Sequence, residues 1–203
     1  MKRILLGLIV AACAFAQKPA KPPKNGIYAN FKTEFGDIKA ILYEKDTPRA
    51  VGLFVGLAQG LQPFLDADRK TTVKRRFYDN TTFFRIVPDD AVQGGSPDGT
   101  NTYQCGLKIK DEFLPGLKFR PGSLAIANTG QPDSGGCQFF FTIGAKASWD
   151  MKYTIFGQVV EGLDVVDKLA HVPVNGETPL NPPKLISVTI QRVGPPPATK
   201  PKK

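Results

Sequence analysis

At 203 residues with 41% hydrophobic content, the chain is long enough to bury the core of one domain. Its formal net charge of +9, or +7 with Lys2 and Arg3 of a leader set aside, raises nucleic acid or an anionic surface as a partner. Much of that excess sits in Pro/Lys-rich ends (Lys18, Lys21 and Lys24; Lys200, Lys202 and Lys203), with no basic helix and no RNA-binding motif beside it, so no nucleic-acid role is expected.

The first residues read as an export signal. Lys2-Arg3 form the charged start, Ile4 to Val10 the apolar segment, and Ala14-Phe15-Ala16 a small-x-small cleavage site before Gln17, so 1–16 is expected to be removed. The apolar stretch is too short for a membrane span. Val10-Ala11-Ala12-Cys13 also reads as a bacterial lipoprotein box with a lipid anchor at Cys13. On either reading the product leaves the cytoplasm, to the periplasm or beyond.

Residues 17–26 form a Pro/Lys linker that cannot pack a core. Alternation over 27–33 and 38–43, divided by Gly36-Asp37, predicts a hairpin. Thr47 as N-cap and Pro48 at the first helical position open a helix; Val51, Phe54, Val55 and Ala58 give it one apolar face, and Gly60 ends it. Residues 61–76 are polar and weakly patterned, a solvated loop. Strand-like runs follow at 82–87, 91–94, 123–128, 138–143 and 154–160, with Gly/Pro/Asn/Asp turns between them. A helix is expected over 163–169, where Val165, Val166 and Leu169 share a face, and a last alternating strand over 185–193. About eight short strands, two helices and no regular βα alternation predict a mainly β protein, an antiparallel barrel or a sandwich. From 194 onward a basic proline-rich tail is expected to be disordered.

Apart from Cys13 the cysteines are Cys105 and Cys137. An even pair in an oxidising compartment is a disulfide candidate, two unpaired buried thiols being the alternative. No CxxC or Cys/His spacing suggests zinc, and no Gly-rich phosphate loop precedes a helix, so no metal and no cofactor are expected. The only histidine, His171, lies beyond the late helix, a poor place for the base of a Ser-His-Asp hydrolase.

Two stretches carry the chemistry. Phe83 to Gly95, FFRIVPDDAVQGG, sets Arg85 in an apolar run, where an unpaired guanidinium would cost several kcal/mol. Asn128 to Thr142, NTGQPDSGGCQFFFT, closes a turn with Gln138 and three aromatics. Together they offer an arginine, two glutamines and a phenylalanine wall, which suits an apolar ring whose neighbouring amides need hydrogen-bond partners. FxRIxP…QGG, then ANxG…QFFxT, then YTIFGxV resembles the cyclophilin family of peptidyl-prolyl cis-trans isomerases, over about 27–193.

The resemblance implies a closed eight-stranded antiparallel barrel capped by two helices. It implies a monomer that binds proline-containing peptides and unfolded chains. Arg85 becomes the catalytic donor. Gln93 steadies the substrate carbonyl and orients Arg85, Phe140 floors the proline pocket, and Ala127 and the Asn128 backbone line its edge. Phe83, Asp90, Ala91, Gln138, Trp149 and Tyr153 complete the implied binding set, and Cys105 and Cys137 map to loops meeting beside the groove. Departures from the family are Phe84 for a histidine, Tyr153 for another, and Asp90 and Ala91 for a phenylalanine and a methionine of the pocket wall. Gapless alignment puts Ser148 where many members carry a tryptophan that meets cyclosporin, with Trp149 adjacent. A shallower pocket and weak cyclosporin sensitivity are expected. The alternative function is a proline-peptide binding module or chaperone with little turnover, and Asp90 is expected to pair with Arg85 or to attract a basic peptide.

Overall fold

The computed structural model describes residues 25–195. The expected leader, Cys13, most of the linker and the tail beyond Pro195 lie outside the described residues. No described helix is long and apolar enough to cross a membrane.

Strands β1 (Gly26–Thr33) and β2 (Gly36–Leu42) form the predicted hairpin, with Phe31 opposite Ile38. Helix α1 (Pro48–Ala58) follows, then a small separate hairpin of β3 (Phe64–Leu65) and β4 (Thr72–Val73). Next come β5 (Thr81–Thr82), β6 (Arg85–Val87), β7 (Ala91–Gly94), β8 (Ser123–Ile126), β9 (Phe139–Thr142) and β10 (Ile155–Glu161). Helix α2 (Leu163–Ala170), the hairpin β11 (Val174–Asn175) and β12 (Thr178–Pro179), and β13 (Lys184–Val193) complete the chain.

Nine of these strands make one antiparallel sheet in the order β5-β13-β1-β2-β10-β8-β9-β7-β6. Its two end strands, β5 and β6, are consecutive in the chain, with Phe83 and Phe84 between them. Strand β5 pairs with β13 and β6 with β7, so one interrupted strand meets both ends of the sheet and curls it round. The closed eight-stranded barrel is therefore met only approximately. The ladder breaks at Phe83-Phe84 because the chain leaves β13 there and crosses to β7; Phe83 N instead donates to Pro183 O at 2.9 Å.

The enclosed side is aromatic. Phe31, Phe54, Phe139, Phe141 and Phe156 are fully buried, and the Phe54 ring lies within 6 Å of four others. Helices α1 and α2 add Val51, Phe54 and Leu57, and Val165, Val166 and Leu169, to the same core, as their periodicity predicts.

Two local expectations need correction. Thr47 occupies the N-cap position of α1, but its hydroxyl turns back to Tyr43 O at 3.2 Å and caps nothing. The free amides of Arg49 and Ala50 are instead bound by the buried Glu112 carboxylate, at 3.1 and 2.9 Å, where the helix dipole also favours an anion. Residues 61–76 are no simple solvated loop. Phe64 is buried edge-on against Phe77 (centroids 4.6 Å apart), and Leu65 N donates to Cys105 O at 2.9 Å. Two-residue strands are too short to leave a period in the sequence.

Candidate active site

Successive residues of a strand face opposite sides. Ile86, Val92, Leu124, Phe139 and Phe141 point into the core, so Arg85, Gln93, Ala125 and Phe140 point out. Cross-strand register sets these outward residues in one row. Arg85 lies opposite Gln93, Gln93 opposite Phe140, Phe140 opposite Ala125, and Ala125 opposite Ile155. The row begins with a cation and an amide and ends on apolar ground.

At its apolar end Ala91, Phe119, Ala125, Phe140 and Ile155 form a second cluster, with Ala127, Trp149 and Tyr153 packed against it. Trp149 and Tyr153 stand edge-on to the Phe140 ring, at centroid distances of 5.7 and 5.2 Å and interplanar angles of 88° and 82°. Phe119 stacks near-parallel on Phe140 at 5.9 Å. Asp150 fixes this wall by accepting from Phe119 N at 3.0 Å. That bond first, and Lys118 after it, hold the Asp150 carboxyl below its usual value against the effect of desolvation.

The polar end is a directed chain of hydrogen bonds. Arg85 Nε donates to Glu177 Oε2 at 2.6 Å and Arg85 Nη1 to Gln93 Oε1 at 3.0 Å. Gln93 Nε2 donates to Gln138 Oε1 at 2.7 Å and to Asn101 Oδ1 at 3.0 Å. Gln138 Nε2 ends the chain on Tyr103 O at 2.9 Å. Each buried amide accepts on one side and donates on the other, which fixes its orientation. Asn101 is held in turn by a loop built on Asp98, whose carboxylate binds Ser96 Oγ, Thr100 N and Arg69 Nη2 at 2.7, 2.9 and 2.7 Å. Burial pulls the Asp98 carboxyl up, but the hydrogen bonds from Ser96, Arg69 and Thr100 outweigh it and leave it below its ordinary value.

Between the two ends lies an open cavity of about 620 Å³. Of the residues singled out in the sequence, Arg85, Ala91, Gln93, Ala127, Asn128, Phe140, Trp149 and Tyr153 line it. Gln138 lines an adjoining cavity of about 260 Å³, beside the disulfide that joins Cys105 to Cys137. Gly95 lets β7 approach that bond: its φ is +87°, and a Cβ there would lie 2.8 Å from Cys137 O.

Two expected binding residues line neither cavity. Phe83 is fully buried in the core, 6.4 Å from both Phe139 and Phe141, because the strand is interrupted at Phe83-Phe84 and the simple alternation that would set Phe83 on the face of Arg85 does not run through the break. Asp90 lies in the tight turn that closes on Val87 O, and its carboxylate pairs with Lys146, not with Arg85. The residues the sequence did not reveal are Glu177, Asn101 and Phe119. Asn175-Gly176 marks a hairpin turn before Glu177, but nothing local says that this turn lands on Arg85.

The family model for the cyclophilin-type peptidyl-prolyl cis-trans isomerases matches residues 28–191. The chain belongs to that family. It is 39% identical to peptidyl-prolyl cis-trans isomerase B of Streptomyces anulatus over 170 residues, 81% of this chain and 97% of that one. To peptidyl-prolyl cis-trans isomerase A of Mycobacterium tuberculosis it is 37% identical over 166 residues, 80% of this chain and 91% of the other. A cyclophilin of Cryptosporidium parvum, solved in the presence of the dipeptide Ala-Pro, superposes with a TM-score of 0.69 at 26% identity and covers 81% of this chain and 98% of its own. In this cyclophilin the outward row borders the open cavity. Its inward counterpart is filled by side chains.

Proposed function

We propose that the protein accelerates cis-trans isomerisation of X-Pro bonds in proline-containing and unfolded chains, with Arg85 as the catalytic donor. The X-Pro isomers are nearly balanced, but roughly 18–20 kcal/mol of amide resonance separates them. No bond is made or broken, so the catalyst needs only to bind the twisted amide better than either planar form. Twisting localises a lone pair on the proline nitrogen, and a guanidinium N–H can donate to it.

The observation that carries this reading is the placement of Arg85. Its guanidinium is held from one side by Glu177 and from the other by Gln93, beside a cavity floored by Phe140. Only two of the five N–H donors of an arginine are taken up by these bonds, and its side chain remains 35% exposed. A proline ring on Phe140, between Trp149 and Tyr153, would bring its nitrogen under the remaining donors. Donors fixed beforehand act strongly, because they need not reorganise during the reaction. Gln93 positions Arg85, and the main chain at Ala127 and Asn128 forms the edge along which the peptide runs. Trp149 contributes the apolar wall that Asp90 does not, beside the single methyl of Ala91.

We also infer that the protein works after export, as a monomer, in an oxidising compartment. A disulfide between Cys105 and Cys137 and the leader-like first 16 residues support the export and the compartment.

The test is the isomerisation rate of an X-Pro tetrapeptide with wild-type protein beside Arg85→Ala. Acceleration that is lost in the mutant, while both remain folded, establishes the enzyme and the role of the arginine. Folded wild-type protein that binds the peptide without accelerating its isomerisation would make it a proline-peptide binding module instead.

A further inference from the structure

Glu177 is the one acidic side chain lining the cavity of Arg85 and Phe140, among the described residues. It stands on the two-residue turn between β11 and β12, where Gly176, with φ +62°, takes the first central position. That turn is fastened to the barrel seam: Ile86 N donates to Glu177 O at 2.8 Å, and Arg85 Nε donates to Glu177 Oε2 at 2.6 Å. The carboxylate of Asp90 pairs with Lys146 and does not line this cavity. Glu177 Oε1 has no hydrogen-bond partner among the described residues, and the side chain is 48% exposed.

We propose that Glu177 is both a positioning residue for Arg85 and a specificity determinant that favours a lysine or arginine flanking the substrate proline. The proposal rests on the isomerase reading of the groove. The two roles belong to different atoms. Oε2 fixes the edge of the guanidinium opposite Gln93, so that the plane of Arg85 cannot swing away from the proline nitrogen. Oε1 accepts no hydrogen bond among the described residues, and a half-exposed carboxylate with a free oxygen at the cavity rim attracts a second cation from the peptide. Because Glu177 lies at the β6 end of the groove and Asn128 beyond its β8 end, this cation belongs to the flank of the proline away from Asn128.

The two roles separate by substitution. Glu177→Gln keeps an oxygen that can accept from Arg85 Nε but removes the charge; Glu177→Ala removes both. Tetrapeptides carrying lysine or glutamate immediately before or immediately after proline, and a neutral reference peptide, would be assayed with each protein at low and high salt. Wild type should prefer lysine over glutamate at one flank by about two- to fivefold, the scale of a single partly exposed ion pair, and salt should shrink that preference. Glu177→Gln should lose the preference and lower kcat on the neutral peptide less than Glu177→Ala does, because it keeps an acceptor for Arg85 Nε. Glu177→Ala should lose the preference and also kcat, with KM on the neutral peptide little changed and the thermal midpoint retained.

No charge preference in wild type at either flank, or one that survives in Glu177→Gln, would overturn the specificity role. An unchanged kcat in Glu177→Ala would overturn the positioning role. Failure of wild type to accelerate the neutral peptide at all would count against the isomerase reading instead.

Discussion

Phe139, Phe140 and Phe141 are three identical side chains in a row on β9, and the barrel assigns them to opposite tasks. Phe139 and Phe141 face inward and pack with Phe31 and Phe83 in the buried core. Phe140 faces outward, where it meets Phe119, Trp149 and Tyr153 and floors the cavity. The same alternation runs through β7, where Val92 is core and Gln93 is site. Strand pleating thus lets one short sequence serve stability on one side and recognition on the other.

The largest effect should come from exchanging the two faces. Phe141→Ala opens a cavity in the core and should cost about 3–5 kcal/mol of unfolding free energy, read by denaturant titration. Phe140→Ala should cost less stability, yet lower kcat/KM by about ten- to a hundredfold, matching the 1.5–3 kcal/mol of one phenylalanine's apolar contact. Equal stability losses with equal rate losses would show that the faces are not separable.

Glu112 sharpens the contrast from the polar side. It is a buried carboxylate that binds helix amides and does not line the cavity. Glu112→Ala should therefore cost about 1–3 kcal/mol of stability with kcat unchanged in the remaining folded protein. A selective loss of kcat at unchanged stability would tie the α1 terminus to the groove.

The smallest effect concerns Asp98, on the outer side. Its folded carboxyl titrates below the ordinary 3.8, so its stabilisation is complete above that pH and is lost as pH falls through the lower folded value. Exchange of the Thr100 amide, which donates to Asp98, should quicken only below about pH 3.8 and lose this dependence in Asp98→Asn. Core amides of β9 should not follow it.

These contrasts also show what the sequence could tell. The β1–β2 hairpin, both helices and the last strand were legible because each carries its own period of two or of 3.6 residues. Arg85 and Gln93 were legible in one short stretch and Phe140 in a second, through the motifs that resemble the family. Glu177 was not, because its bond to Arg85 spans 92 positions, nor was Glu112, which reaches its helix across 62. The misplacement of Phe83 and Asp90 has a different cause. Both sit within the motif, but the strand break at Phe83-Phe84 and the Val87–Asp90 turn, not proximity in sequence, decide which way a side chain points.

The central claim is that a guanidinium, held on both sides, meets the twisted proline amide. Arg85→Lys tests it most directly, since it keeps the positive charge but cannot reach Glu177, Gln93 and a substrate nitrogen with one planar fork. The tetrapeptide isomerisation rate should fall by about a hundredfold, the loss typical of removing one preorganised donor, with the thermal midpoint preserved. A rate close to wild type would contradict the account and show that positive charge alone suffices.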